Sequence, residues 1–438
     1  MPHFTGDDRM TTAWTKRIKS WLVPSPSAPH LAPNVPPGIY HYQCERDSEY
    51  IRFHLRIEPN GEALLIAGAS EVARLSRVGA EAAKRLLDAE DRNALVASIK
   101  HPNVQNLYRE VTSLLDELGR PNSRFPIFNL SDPIDSTRDA KLIAPFQADV
   151  EIGEPEKLHA VLRRLWDAGI PHVRLLHAPT VRTSELVRAA EHAEDIGMIA
   201  GVRALANWLH PDRQINQLAE VGLDYVVCPW GMTQDLHREL FGAEDYEALP
   251  AVLEQIRQWE MTPVVELPLV AETIDAMIAS MQQLTDWQVS HIECFALVAP
   301  ETWPAIRSST TPFAPAELKQ IAAFIEELPD EHPLQTIWLP PLVCRDYDSL
   351  RERVLQGPRA GGDVTVHVDV NGEVFPPRGP RISVGNLLHE SWDRIWQEVA
   401  FRRFREHVEA NTRCSDCPGL AICAADCPSD PRGWTVDD

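Results

Sequence analysis

Three things are missing from this sequence, and each absence closes off a class of function. No apolar run is long enough to cross a bilayer, and no hydrophobic segment precedes a cleavage site, so a reducing, cytoplasmic setting is expected. Positive charge is in deficit: 42 Lys and Arg face 64 Asp and Glu, a formal net charge of -22. That balance opposes attraction to phosphate backbones, and no basic stripe defies it, so nucleic acid is excluded as a partner. No Ser/His/Asp order, phosphate-cradling glycine loop or zinc-protease helix points to a specific reaction.

Cysteine is scarce along most of the chain. Of eight in 438 residues, Cys44, Cys228, Cys294 and Cys344 are scattered, and the other four, Cys414, Cys417, Cys423 and Cys427, crowd the C-terminal end. Two short-spaced pairs in one loop suit a single tetrahedral metal centre, a geometry that zinc and cuboidal iron–sulfur clusters both accept. A fully thiolate-bound centre has no open coordination position. It therefore serves structure or electron transfer, not hydrolysis.

The remaining composition is that of a globular chain, 44% hydrophobic and 24% charged, of a length that suggests two or three domains. Residues 1–37 read as a tail. Within it Trp14, Ile18, Trp21 and Leu22 share a helical face beside Lys16, Arg17 and Lys19, a frayed end or a contact with a membrane surface or partner, and a proline-rich linker follows from Pro24 to Pro37. From Gly38 to about residue 125 a small α+β unit is expected. Tyr50 to Ile57 alternate apolar and polar residues, Asn60 and Gly61 make a two-residue turn, Ala63 to Ile66 return, and helical patterns follow at 79–87 and 104–118.

Between Phe146 and about Leu328 the pattern changes to short apolar strands alternating with amphipathic helices. Six β/α units are expected, with a parallel sheet and helices outside. Gly169, Gly197 and Gly222 each sit between a helix and the next strand, where a left-handed helix cap is needed. At the strand C-termini His177, Arg203, Cys228, Trp230, Glu266 and Glu293 form a polar set able to line a small-molecule site, each with a plain structural explanation as well.

Two segments carry a family resemblance. Residues 61–87, GEALLIAGASEVARLSRVGAEAAKRLL, resemble the PqqD-like domains that hold a peptide on a strand edge ahead of many radical SAM enzymes. Residues 363–407 read as a hairpin turned by Asn371 and Gly372, a loop and a helix; with Gly385, Asn386, Ile395, Trp396, Phe401, Phe404 and Arg405 in place, they resemble the SPASM extension of that superfamily. The resemblance implies a partial, six-unit TIM-like barrel over residues 140–330, a small α+β domain before it, and a C-terminal extension over 331–438 with a four-cysteine site.

The departures bear on activity. Radical SAM enzymes place three cysteines in the loop after the first barrel strand, and here that loop runs through Gly153, Glu154 and Pro155 without one. The glycine-rich stretch after the second strand is replaced by Ala178, Pro179 and Thr180. Pro358 and Pro377 stand near hairpin positions where the family has cysteines, and no cysteine follows Cys427. The expectation is a chain with one metal centre, a 4Fe-4S cluster or zinc on Cys414, Cys417, Cys423 and Cys427, without S-adenosylmethionine. It would act as a non-catalytic peptide-binding or scaffold subunit beside a modification enzyme. The alternative is an active peptide- or cofactor-modifying enzyme with a divergent cofactor site at the barrel mouth.

Overall fold

A computed structural model describes residues 35–46, 49–67, 71–119, 143–209, 213–270, 273–289, 291–298, 312–313, 335–338, 342–343, 365–375, 382–399 and 401. The four C-terminal cysteines, the tail before residue 35 and residues 120–142 lie outside the described residues.

The N-terminal unit is a four-stranded antiparallel sheet in chain order: β1 (Gly38–Arg46), β2 (Glu49–Ile57), β3 (Ala63–Ala67) and β4 (Glu71–Leu75). The Asn60–Gly61 turn forms as expected, with Gly61 at φ +83° and the Asn60 carboxamide accepting from Glu62 N at 3.0 Å. Helix α1 (Arg77–Asp88) starts at Ser76, whose hydroxyl accepts from Gly79 N; α2 (Arg92–Ser98) starts at Asp91 in the same way, and α3 (Pro102–Leu118) places proline in its first turn. Phe53, Leu55, Ile57 and Leu65 pack with Ala83, Leu86, Val111 and Leu115 from these helices to form one core. The short α2, seven residues long, escaped the sequence reading because it is too brief to show a period.

The strand–helix alternation follows as β5 (Gln147–Glu151), α4 (Pro155–Asp167), β6 (His172–Leu176), α5 (Thr183–Asp195), β7 (Ile199–Arg203), α6 (Ala206–Leu209), α7 (Arg213–Glu220), β8 (Tyr225–Pro229), α8 (Gln234–Leu240), α9 (Ala243–Gln258), β9 (Thr262–Leu269), α10 (Thr273–Asp286) and β10 (His291–Val298). These six strands lie side by side in chain order, all parallel. Gly169, Gly197 and Gly222 adopt φ of +93°, +94° and +92°, the helix-ending conformation that the sequence called for.

The sheet is larger than six units. On one side β11 (Gln335–Trp338) and β12 (Leu342–Val343) pair with β10 in parallel; on the other, β13 (Thr365–Val368) pairs in parallel with β5 and continues through the antiparallel β14 (Glu373–Phe375) and β15 (Gly385–Asn386). The result is an α/β fold with a mixed, mainly parallel sheet whose paired strands end at β11 and β15 among the described residues; it is not a closed barrel. Asn371 and Gly372 make the β13–β14 turn, Gly372 at φ +81°. Helix α11 (Trp392–Trp396) then buries Ile395 and Trp396 against the main core, as their helical spacing implied.

Candidate functional site on the inner face of the sheet

Alternation along each strand divides the sheet into two faces, one apolar throughout and one that carries a layer of charge beside smaller apolar clusters, Tyr225 with Val227 and Val264, and Phe295 with Leu297. Val150, Val173, Val202, Val226, Val265 and Ile292 face the helices and join Leu162, Leu186, Leu253 and Leu284 in one apolar core. The alternate residues Asp149, Arg174, Arg203, Glu266, Glu293 and His367 are charged or polar, and every one is buried.

The inner charges pair across the sheet. Arg174 grips Asp149 with two parallel bonds, Nε to Oδ1 and Nη2 to Oδ2, both 2.8 Å, and its Nη1 donates to Glu293 Oε2 at 2.7 Å. Gln147 Nε2 donates to Asp149 Oδ1 at 3.0 Å. Arg203 grips Glu266 likewise, at 2.8 and 2.7 Å. Strands β6 and β10 are four positions apart in the sheet, roughly 19 Å if it were flat, which is beyond the reach of an Arg–Glu pair. The Arg174–Glu293 contact therefore requires a strongly curved sheet with Arg174 spanning its concave side.

Burial opposes the charge on Arg174, but the carboxylates of Asp149 and Glu293 outweigh it and hold the guanidinium well above its ordinary pKa. Burial pushes Glu293 up, with Arg174 pulling against that rise. The Tyr225 ring lies on the same face, against Gly201. A Cβ at Gly201 would stand 2.1 Å from it, so the residue on β7 has to be glycine for the ring to lie there. At the edge nearest the C-terminal hairpin, His367 Nε2 lies 2.9 Å from Glu151 Oε1.

Of the strand-end set expected from sequence, Arg203, Glu266 and Glu293 meet on this face. Cys228 and Trp230 do not: they share the parity of Val226 and pack on the helix side, Trp230 against Trp287 with ring centroids 4.9 Å apart. Burial pushes the Cys228 thiol well up, as it does Cys294, so both behave as small apolar fillers. His177 stands apart from the charged layer, with Nε2 donating to Val181 O at 3.1 Å and its ring beside Trp208. Asp149, Arg174 and His367 were missed by the sequence reading. The available signal was charge at alternate positions within otherwise apolar strands.

The connection from β5 to α4 is three residues, Ile152–Glu154, and α4 begins at Pro155. None of these three residues is a cysteine.

The fold defines a class, an α/β protein with a curved, mixed and mainly parallel sheet that continues into a C-terminal hairpin and helix. The comparisons agree with this description. Residues 361–418 match the SPASM family, an iron-sulfur cluster-binding domain, a span that takes in Cys414 and Cys417. Among solved structures, SuiB of Streptococcus suis bound to the precursor peptide SuiA is similar over 88% of this chain and 95% of its own, with a TM-score of 0.56 at 12% identity. SuiB bound to S-adenosylmethionine gives 0.53 at 11% identity over 88% of this chain and 95% of that one. At such identities the likeness is one of fold. No match was found among curated proteins.

Proposed function

We propose that this chain is a radical SAM-fold protein without radical chemistry, a peptide-binding or scaffold subunit that works beside a partner enzyme in peptide or cofactor modification. The observation that carries the reading is the Arg174 bridge. The concave face where such folds hold their cofactor is spanned by the chain's own ion pairs, Arg174 with Asp149 and Glu293. The cysteine-free Ile152–Glu154 connection supports it, since iron–sulfur clusters are held mainly by thiolates.

In this reading residues 38–125 form a PqqD-like unit, 140–330 a partial six-unit barrel and 331–438 a SPASM-like extension, in a cytoplasmic protein. Peptide capture falls to the N-terminal sheet: among the described residues β4 pairs only with β3, which leaves a strand edge for an extended chain. That SuiB has been seen with a precursor peptide supports a peptide ligand. Four thiolates, Cys414, Cys417, Cys423 and Cys427, fit a soft metal centre, a 4Fe-4S cluster or zinc; bound there, it would pin the extension or carry electrons. Among the described residues no helix is long and apolar enough to cross a membrane.

Anaerobic purification followed by iron, sulfide and zinc analysis tests the reading. One four-iron cluster or one zinc per chain, lost on Cys414→Ala, is expected; two or more clusters per chain would refute it. The second reading, an enzyme with a divergent cofactor site, draws on the His367–Glu151 contact at the C-terminal end of β5, where Glu151 keeps 30% exposure. Cofactor cleavage under reductant that depends on His367 would favour it.

A further inference from the structure

The four residues that lead into β5, Ile143 to Phe146, are held from both ends of the sequence. From the N-terminal sheet, Glu58 Oε2 accepts from Ile143 N at 2.8 Å, and Arg56 donates to the carbonyls of Pro145, at 2.9 Å, and Ala144. The Arg56 guanidinium lies over the Phe146 ring, 4.2 Å from its centroid, and is paired with Glu58 at 2.7 Å in a fully buried setting. From the C-terminal extension, Trp392 of α11 donates its indole N–H to Ile143 O at 2.9 Å, and β13 runs alongside β5 from Gln147 onward.

The two polar groups of the Ile143 backbone are thus divided between distant parts of the chain, N–H to Glu58 just past the end of β2 and C=O to Trp392 of α11. A third side is closed as well. At Gly169 a Cβ would come 2.6 Å from the Ile143 side chain, so the α4–β6 turn presses against this residue. A displacement of Ile143 by an ångström costs bonds on both sides at once, and buried polar groups left without partners are expensive.

We infer that Ile143–Phe146 is a strut through which the N-terminal sheet and the C-terminal hairpin and helix stabilise each other. The inference goes beyond the proposed function and does not depend on whether the sheet is catalytic. Coupling of this kind is reciprocal: a peptide that tightens the N-terminal sheet tightens the C-terminal extension, and the reverse holds by the same factor.

Hydrogen exchange on the full chain tests it. Trp392→Phe keeps a ring beside Trp396 and Phe401 but removes the donor to Ile143. We expect about a tenfold loss of protection in β2 and β3, which the substitution does not touch, with α9 unchanged, as fits the loss of one buried hydrogen bond. Arg56→Met is expected to weaken β13 and β14 by about the same factor, and the double variant to lose little more than either single one. Glu58→Gln serves the same arm if Arg56→Met does not fold. Loss confined to α11 and the hairpin, full additivity of the two changes, or an equal loss in α9 would each overturn the inference.

Discussion

The two faces of the curved sheet teach different lessons. The helix-side face is held by apolar contacts among Val173, Val226, Ile292 and their neighbours, each of which adds a modest amount and tolerates exchange for a similar shape. The concave face carries a few ion pairs, Arg174–Asp149 between consecutive strands and Arg174–Glu293 and Arg203–Glu266 between strands further apart in sequence, where each charge depends on its partner. The first face makes the fold. The second decides what the fold has room to hold.

The sharpest way to break this contrast is Arg174→Met. Removing the guanidinium leaves Asp149 and Glu293 buried and unpaired, a loss of about 3–5 kcal/mol in denaturant-unfolding stability. Replacing all three residues with apolar ones of similar volume is expected to restore most of it, which would show the cost to lie in the orphaned charges.

Acid titration probes a second buried polar surface, between β2 and the N-terminal ends of the parallel strands. His54 Nε2 lies 2.6 Å from Gly197 O, with His41, Arg52 and His172 around it. Burial pushes His54 down to about 3, so as pH falls below the ordinary histidine value the unfolded chain takes up the proton first. Its contribution is present above about pH 6.5 and is lost as pH falls toward the folded value, roughly 2 kcal/mol by pH 5. Glu194, paired with Arg52 and pushed up to about 9 by burial and Asp224, acts with the opposite sign: its contribution is lost as pH rises toward that value. Because Glu194 is common to both proteins, the difference between wild type and His54→Gln isolates the histidine. Wild type is expected to lose more stability between pH 7 and 5 than the variant.

On the apolar face the expected effects are smaller. Ile292→Val removes one methyl group from a closed core and should cost about 1 kcal/mol, read from the same unfolding curves. At the low end, Glu154→Ala breaks an exposed pair with Lys157 and should leave the unfolding midpoint unchanged within error.

What the sequence revealed follows the same division. Apolar alternation, the three helix-ending glycines and the Asn–Gly turns at 60–61 and 371–372 are local signals, and each stands where it was expected. The short α2 carried too little periodicity to read. Arg174 and Glu293 are 119 positions apart, and no local pattern pairs them; only the curvature of the folded sheet does. Cys228 and Trp230 stand at the strand end as expected but pack on the helix side, Cys228 as the small core filler that its plain structural reading gave, because proximity to a strand C-terminus does not give a side chain's parity. The polar side of β2 gave no sign from sequence that it is buried, since Arg52, His54 and Arg56 find their partners at 194, 224, 197 and 144–145, far along the chain.

Equilibrium binding of S-adenosylmethionine to the anaerobically purified chain, read by calorimetry, tests the central claim most directly. No saturable binding is expected, because ion pairs span the concave face and the β5–α4 connection has no cysteine. Stoichiometric binding followed by reductive cleavage of the ligand would contradict the account.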